Sequence, residues 1–219
     1  RNNPSVNAHG LIYGSTEASS DYIPWLDPVD NKSGLLKTEY RDPKTPTTKN
    51  DAIFQPSPYW GNEAIWDSHT SIHNPMLDEK GRLWITARIR PANNPAFCKE
   101  GSDHPSAKVF PLARSGRQAE LYDPKTQKIT TIDLCFQTHH LQFGYDKDNT
   151  LWTSGGGAVV GWLNTKMFLE TGDEKKSQGW TPMILDTSGD GKRGEYTEPG
   201  KPAEAGKDRR IEAGLYAVM

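Results

Sequence analysis

The phrase Asp78-Glu79-Lys80-Gly81-Arg82-Leu83-Trp84-Ile85-Thr86 recurs 68 residues further on as Asp146-Lys147-Asp148-Asn149-Thr150-Leu151-Trp152-Thr153-Ser154. A weaker copy, Asn7-Ala8-His9-Gly10-Leu11-Ile12-Tyr13-Gly14, precedes both. In each, an Asp or Asn stands six residues before the aromatic, and a turn-former, Gly or Asn, stands three before it. A fixed internal period means one supersecondary unit used repeatedly. A turn leading into a short apolar strand is the unit read here. A second phrase follows each copy: Leu26-Asp27-Pro28-Val29, Tyr122-Asp123-Pro124-Lys125 and Leu163-Asn164-Thr165-Lys166. After the middle one comes Ile129-Thr130-Thr131-Ile132, a β-branched run, so the phrase reads as a tight turn into another strand.

Repeated antiparallel units of this kind predict an all-β chain built as a β-propeller. The approximate units are 1–60, 61–138 and 139–210, with the start of a next one at 211–219. The aromatics are spaced by 71 and 68 residues, against about 40–50 for a usual blade, which implies long insertions. Three blades fall short of the roughly 4–8 that close a propeller. The chain is therefore expected to be part of one propeller domain whose first partner is the remainder of that propeller. The composition agrees: 34% hydrophobic, with 20 Gly, 16 Pro and 7 Trp, favouring short strands and turns over helical bundles. No apolar run approaches the ~20 residues of a membrane span. A net charge of −2 with mixed signs gives no footprint for nucleic acid.

Cys98 and Cys135 are the two cysteines. Their even number in a loop-rich chain predicts a disulfide and hence an oxidising compartment, periplasmic or secreted. Asp186-Thr187-Ser188-Gly189-Asp190-Gly191-Lys192-Arg193-Gly194-Glu195 places oxygen side chains at alternate loop positions followed by glycine. That pattern predicts a calcium loop, with Asp186, Ser188, Asp190, the Lys192 carbonyl and Glu195 as ligands. Thr197 stands where an EF-hand has its acid. Gly155-Gly156-Gly157 is not followed by the Lys-Ser/Thr of a phosphate-binding loop; close strand approach explains it better.

The histidines are clustered. His73 precedes Trp84 by 11 residues and His140 precedes Trp152 by 12, so both are placed at the start of an inner strand, where successive units converge. Neutral imidazoles meeting there can bind a divalent metal such as Mg or Zn, or act as acid and base. His73 and His140 are the candidates for base or ligand. His69 and His139 are further candidates for a channel metal, and Arg88, with Arg90 read on the same strand, is the candidate holder of an anionic substrate group.

The units D-x-x-G-x-[Leu/Ile]-[Trp/Tyr]-x-[Thr/Ser] with L-D-P-x resemble the blades of streptogramin (virginiamycin B) lyase-like propellers. The wider pattern of His73-Asn74-Pro75-Met76, Ser102-Asp103-His104-Pro105-Ser106-Ala107-Lys108 and Thr153-Ser154-Gly155-Gly156-Gly157 is similar to large secreted bacterial proteins carrying carboxypeptidase-regulatory-like modules beside such a propeller. The similarity runs over most of residues 5–219. It implies a seven-bladed propeller when complete, and a lyase that opens a cyclic ester by elimination with a divalent metal and a histidine base. His73 or His140 matches that base. The resulting expectation is a metal-assisted lyase or hydrolase acting on a small polar or cyclic ester, sugar or lactone. The other reading is a non-catalytic, calcium-stabilised binding or scaffold propeller, whose exposed aromatics such as Tyr59-Trp60 take a carbohydrate or other ligand.

Overall fold

A computed structural model describes residues 10–51, 57–59, 61–63, 65–155, 157–212 and 215–218. Asn7, Ala8 and His9 of the first motif copy, Trp60 and Gly156 lie outside them. The class is all-β: short strands assemble into four small sheets, none of them closed. The first sheet joins β1 (Ile12–Tyr13), β2 (Tyr22–Asp27) and β3 (Lys32–Lys37). The second joins β4 (Pro75–Leu77), β5 (Leu83–Ala87), β6 (Gln118–Asp123) and β7 (Lys128–Ile132). The third joins β8 (Leu141–Phe143), β9 (Thr150–Thr153), β10 (Val159–Asn164) and β11 (Gln178–Pro182). In these three, strands are neighbours in chain order and antiparallel. A smaller mixed sheet has β14 (Asp208–Arg210) between β12 (Ile184–Leu185) and β13 (Tyr196–Thr197).

The repeated phrase is the hairpin that joins the first two strands of a sheet. Asp78 caps it by accepting the Lys80 and Arg82 amides at 2.9 and 3.0 Å and the Trp84 indole N–H at 3.0 Å. Asp146 does the same for the Asp148 and Thr150 amides. The turn-former three residues before the aromatic is required by its backbone: Gly81 has φ 78° and Asn149 φ 48°, a region open to glycine and tolerated by asparagine. The Asp-Pro phrase makes the expected second hairpin at Asp27 and Asp123, each carboxylate accepting the amide two residues on.

The third copy of that phrase departs from the reading. Asn164 lacks the proline and caps a helix, α2 (Thr165–Thr171), by accepting the Met167 amide. It is preceded in the chain by α1 (Pro105–Val109) and followed by α3 (Glu174–Ser177). A turn-and-strand was expected here. The run Met167-Phe168-Leu169-Glu170 favours a helix, and Gly172 ends it in the left-handed region with φ 67°.

The first three sheets stack as successive layers. Alternate side chains of a strand face opposite ways, and β5 shows it: Leu83, Ile85 and Ala87 join Ile23 and Ile72 in one core with the first sheet. Trp84 joins Leu141, Phe143, Leu151 and Leu163 in a second core with the third sheet. The middle sheet is thus buried on both faces. Two cross-strand pairs, Trp25 with Gly34 and Trp162 with Gly179, are alike: the indole lies where a Cβ of its glycine partner would be. The expected disulfide joins Cys98 to Cys135, with Cα atoms 5.4 Å apart. It ties the insertion between β5 and β6 to the segment after β7. No helix of the described residues is long and apolar enough to cross a membrane.

Candidate metal centre

Each of the first three sheets is linked to the chain segment that follows by one repeated hydrogen bond. The hydroxyl two residues after the motif aromatic donates to a backbone carbonyl across the layer boundary. Ser15 donates to Ile72 at 2.9 Å, Thr86 to His139 at 3.2 Å and Ser154 to Tyr216 at 2.6 Å. These Ser/Thr positions bring the histidines together. The His73 amide donates to the Thr86 carbonyl, and the Thr86 amide to Asn74. The His139 amide donates to the Ser154 carbonyl, and the Ser154 amide to His140. The backbone equivalent of His73 is therefore His139, while His140 is equivalent to Asn74. This corrects the match of His73 with His140 obtained by counting back from the tryptophans. Gly144 and Tyr145, inserted before Asp146, displace that count, and Tyr145 takes a left-handed φ of 56°.

His73, His139 and His140 converge, with one nitrogen of each lying within 4.8 Å of the others. The His73 and His139 rings stack at 4.1 Å with 9° between planes. His73 Nδ1 lies 3.0 Å from a Glu17 carboxylate oxygen. His140 Nδ1 lies 2.7 Å from the Tyr216 carbonyl oxygen. A carboxylate and a carbonyl only accept, so both Nδ1 atoms carry the proton. In the neutral form each ring turns its Nε2 lone pair inward, and the two Nε2 atoms are 3.2 Å apart. Two such lone pairs can hold one cation between them. A proton is disfavoured: burial, with the charges of Arg117 and His140, holds His73 below the usual imidazole range despite Glu17. Burial and the neighbouring histidines do the same to His139. The pair can also hold a metal. At a metal–nitrogen distance of about 2.0–2.1 Å, two ligands of one tetrahedral ion sit about 3.4 Å apart. Carboxylate and carbonyl partners on the outer nitrogens are the usual means of fixing the tautomer of a metal-binding histidine.

Around the imidazoles lie Glu17, Arg117 and Ser71. Arg117 donates from Nη2 to Ser71 Oγ at 3.1 Å and to Glu17 at 3.4 Å. Burial, with the like charge of Arg88, pushes its pKa down against the pull of Glu17. Glu17 and Ser71 both have φ 40°, a left-handed conformation uncommon for such residues that concentrates at functional sites. Sequence reasoning missed both residues and Arg117. The signal for Glu17 was in the repeat: it stands four residues after Tyr13, as Arg88 stands four after Trp84. Arg117 and Tyr216 carry no such mark, because their roles arise only when separate layers meet.

The other expected site residues lie elsewhere. His69 stands apart from the cluster, bonded to Asp21 at 3.1 Å and stacked on Tyr40 at 4.6 Å. Arg88 pairs with Asp51 at 3.9 Å, close enough to Arg117 to act on it. Buried Arg90 is held by Asp133, Asn94 and the Leu134 carbonyl. In the 186–195 loop, Asp186 accepts Ser188 Oγ and the Gly189 and Gly191 amides. Asp190 accepts the Lys192 amide, and Glu195 faces Lys207 at 3.7 Å. Asp186, Asp190 and Glu195 do not form a triple within ligand-sharing distance; among the described residues only the three histidines do. Of the glycine run, Gly155 makes the expected close approach, since a Cβ there would overlap the Gln137 carbonyl, whereas Gly157 has open space around it. Compared with protein-family models, curated proteins and solved structures, the chain matches none of them.

Proposed function

We propose that this chain is an arc of a secreted or periplasmic β-propeller that holds one divalent transition metal on His73, His140 and His139, as a metal-assisted lyase or hydrolase. The observation that carries it is the pair of bare Nε2 atoms 3.2 Å apart, each set inward by an acceptor on the other nitrogen. The stacked antiparallel layers and their repeated hydroxyl-to-carbonyl bonds support the propeller reading, as does the resemblance to streptogramin lyase-like blades. Histidines without thiolates suit Zn or Fe better than Mg or Mn. A bound metal supplies Lewis-acid stabilisation of a developing oxyanion. The chain supplies a half-exposed carboxylate at Glu17 beside His73, a general base for proton abstraction from a small ester, sugar or lactone.

The test is elemental analysis of the dialysed protein. One equivalent of Zn or Fe is expected in the wild type and in H69A, and is lost in the H73A/H140A double variant. A wild type without stoichiometric metal would leave the non-catalytic binding propeller as the better reading.

A further inference from the structure

Arg117 is the least satisfied cation near the histidines. Its Nε is buried and has no acceptor among the described residues, and its Nη2 is shared between Ser71 and a long 3.4 Å contact to Glu17. A buried guanidinium N–H left without an acceptor is costly, so the position is not explained by packing. The side chain retains 15% exposure, and Glu17, which covers its Nη2, retains 50%. Arg88 adds a second guanidinium close by. With a dication on the imidazoles, Glu17 and Asp51 leave the site net positive.

We propose that Arg117 anchors an oxyanion of the ligand, a carboxylate or a phosphate, on the Nε–Nη2 edge of its guanidinium, with Glu17 as the resident group it displaces. This rests on the metal reading of the histidines, since the displaced carboxylate joins His73 to Arg117 and places the oxyanion beside the metal. The guanidinium edge offers two parallel N–H donors that match a planar or tetrahedral oxyanion bidentately, which a lysine does not. The ligand class is thereby narrowed from any small polar ester to one carrying an acidic group near the reacting centre.

The experiment is calorimetric titration of inorganic phosphate into the zinc-loaded and the metal-free protein, for wild type, R117Q and R117K. Saturable one-to-one binding is expected in the zinc-loaded wild type, with affinity at least tenfold weaker in both variants while each keeps one equivalent of zinc. R117K, which keeps the charge, guards against loss of fold in R117Q. Phosphate affinity unchanged in a folded, zinc-loaded R117K or R117Q overturns the proposal. If the wild type takes up no zinc, the metal reading fails on its own. Binding of phosphate to that metal-free protein, weakened by R117K, would still support the Arg117 anchor, and its absence would overturn it.

Discussion

Glu120 shows how one side chain sets a pH limit on the whole fold. It lies on β6 with no exposure, on the same face as Gln118, and among the described residues neither carboxyl oxygen has a well-formed hydrogen bond, the Glu39 backbone offering only a weak one. Burial, with the charges of Glu39 and Asp21 adding to it, raises its pKa well above the ordinary carboxyl value. In the folded protein Glu120 therefore keeps its proton at a pH where the unfolded chain has lost it. With more protons bound in the native state, stability falls as pH rises above the unfolded pKa, by about 1.4 kcal/mol per pH unit until the folded pKa is reached. Urea unfolding at pH 5 and pH 7 should show this decline in the wild type. E120Q should lose that part of the slope and be the more stable of the two at pH 7. An identical slope in both proteins would mean that Glu120 is ionised in the native state.

At the scale of the element, the two copies of the motif turn are alike in sequence but differ in what their aspartates hold. Asp78 is buried and binds the Trp84 indole and the Arg82 guanidinium besides two amides. Asp146 binds two amides and the Thr150 hydroxyl near the surface. D78A should cost about 3 kcal/mol, since it strands a buried indole N–H and an arginine, and D146A about 1 kcal/mol. Chemical denaturation of the two variants would separate them, and equal losses would count against the role of the indole bond. These hairpins were legible in the sequence because the chemistry of a tight turn is local: an aspartate acceptor, a residue able to take positive φ, then an apolar strand. The helix at Thr165 was less legible, because its phrase Leu163-Asn164 resembles the Leu26-Asp27 and Tyr122-Asp123 starts of the Asp-Pro turns and lacks only their proline. The histidine cluster was legible as a convergence, but its pairing was shifted by the Gly144-Tyr145 insertion. Arg117 and Tyr216 were not legible, because nothing within either segment indicates which layer it will meet.

At the scale of the molecule, stability depends on how layers and insertions are joined. The insertion between β5 and β6 is largely irregular, and it packs on the core through Cys98, Ala107 and the Trp180 indole, which donates to Phe110 O at 2.7 Å. Arg90 and Asn94 bond into the Leu134–Cys135 segment from the same side. The disulfide fixes that arrangement across a separation of 37 residues with both sulfurs fully buried. Closing a loop of this length stabilises by about 3–4 kcal/mol on the chain-entropy account. Because the bridge lies within the core that Trp84 shares with the third sheet, its loss should loosen the insertion and that core together. Reduction by dithiothreitol, or the C98A/C135A variant, should lower the melting temperature by several degrees in one cooperative step. Trp84 and Trp180 fluorescence should change in that same transition. A reduced protein that melts as the oxidised one does would show that the hydrogen bonds of Arg90 and Asn94 hold the insertion without the bridge. A separate early transition confined to the insertion would show that it is not part of the layered core.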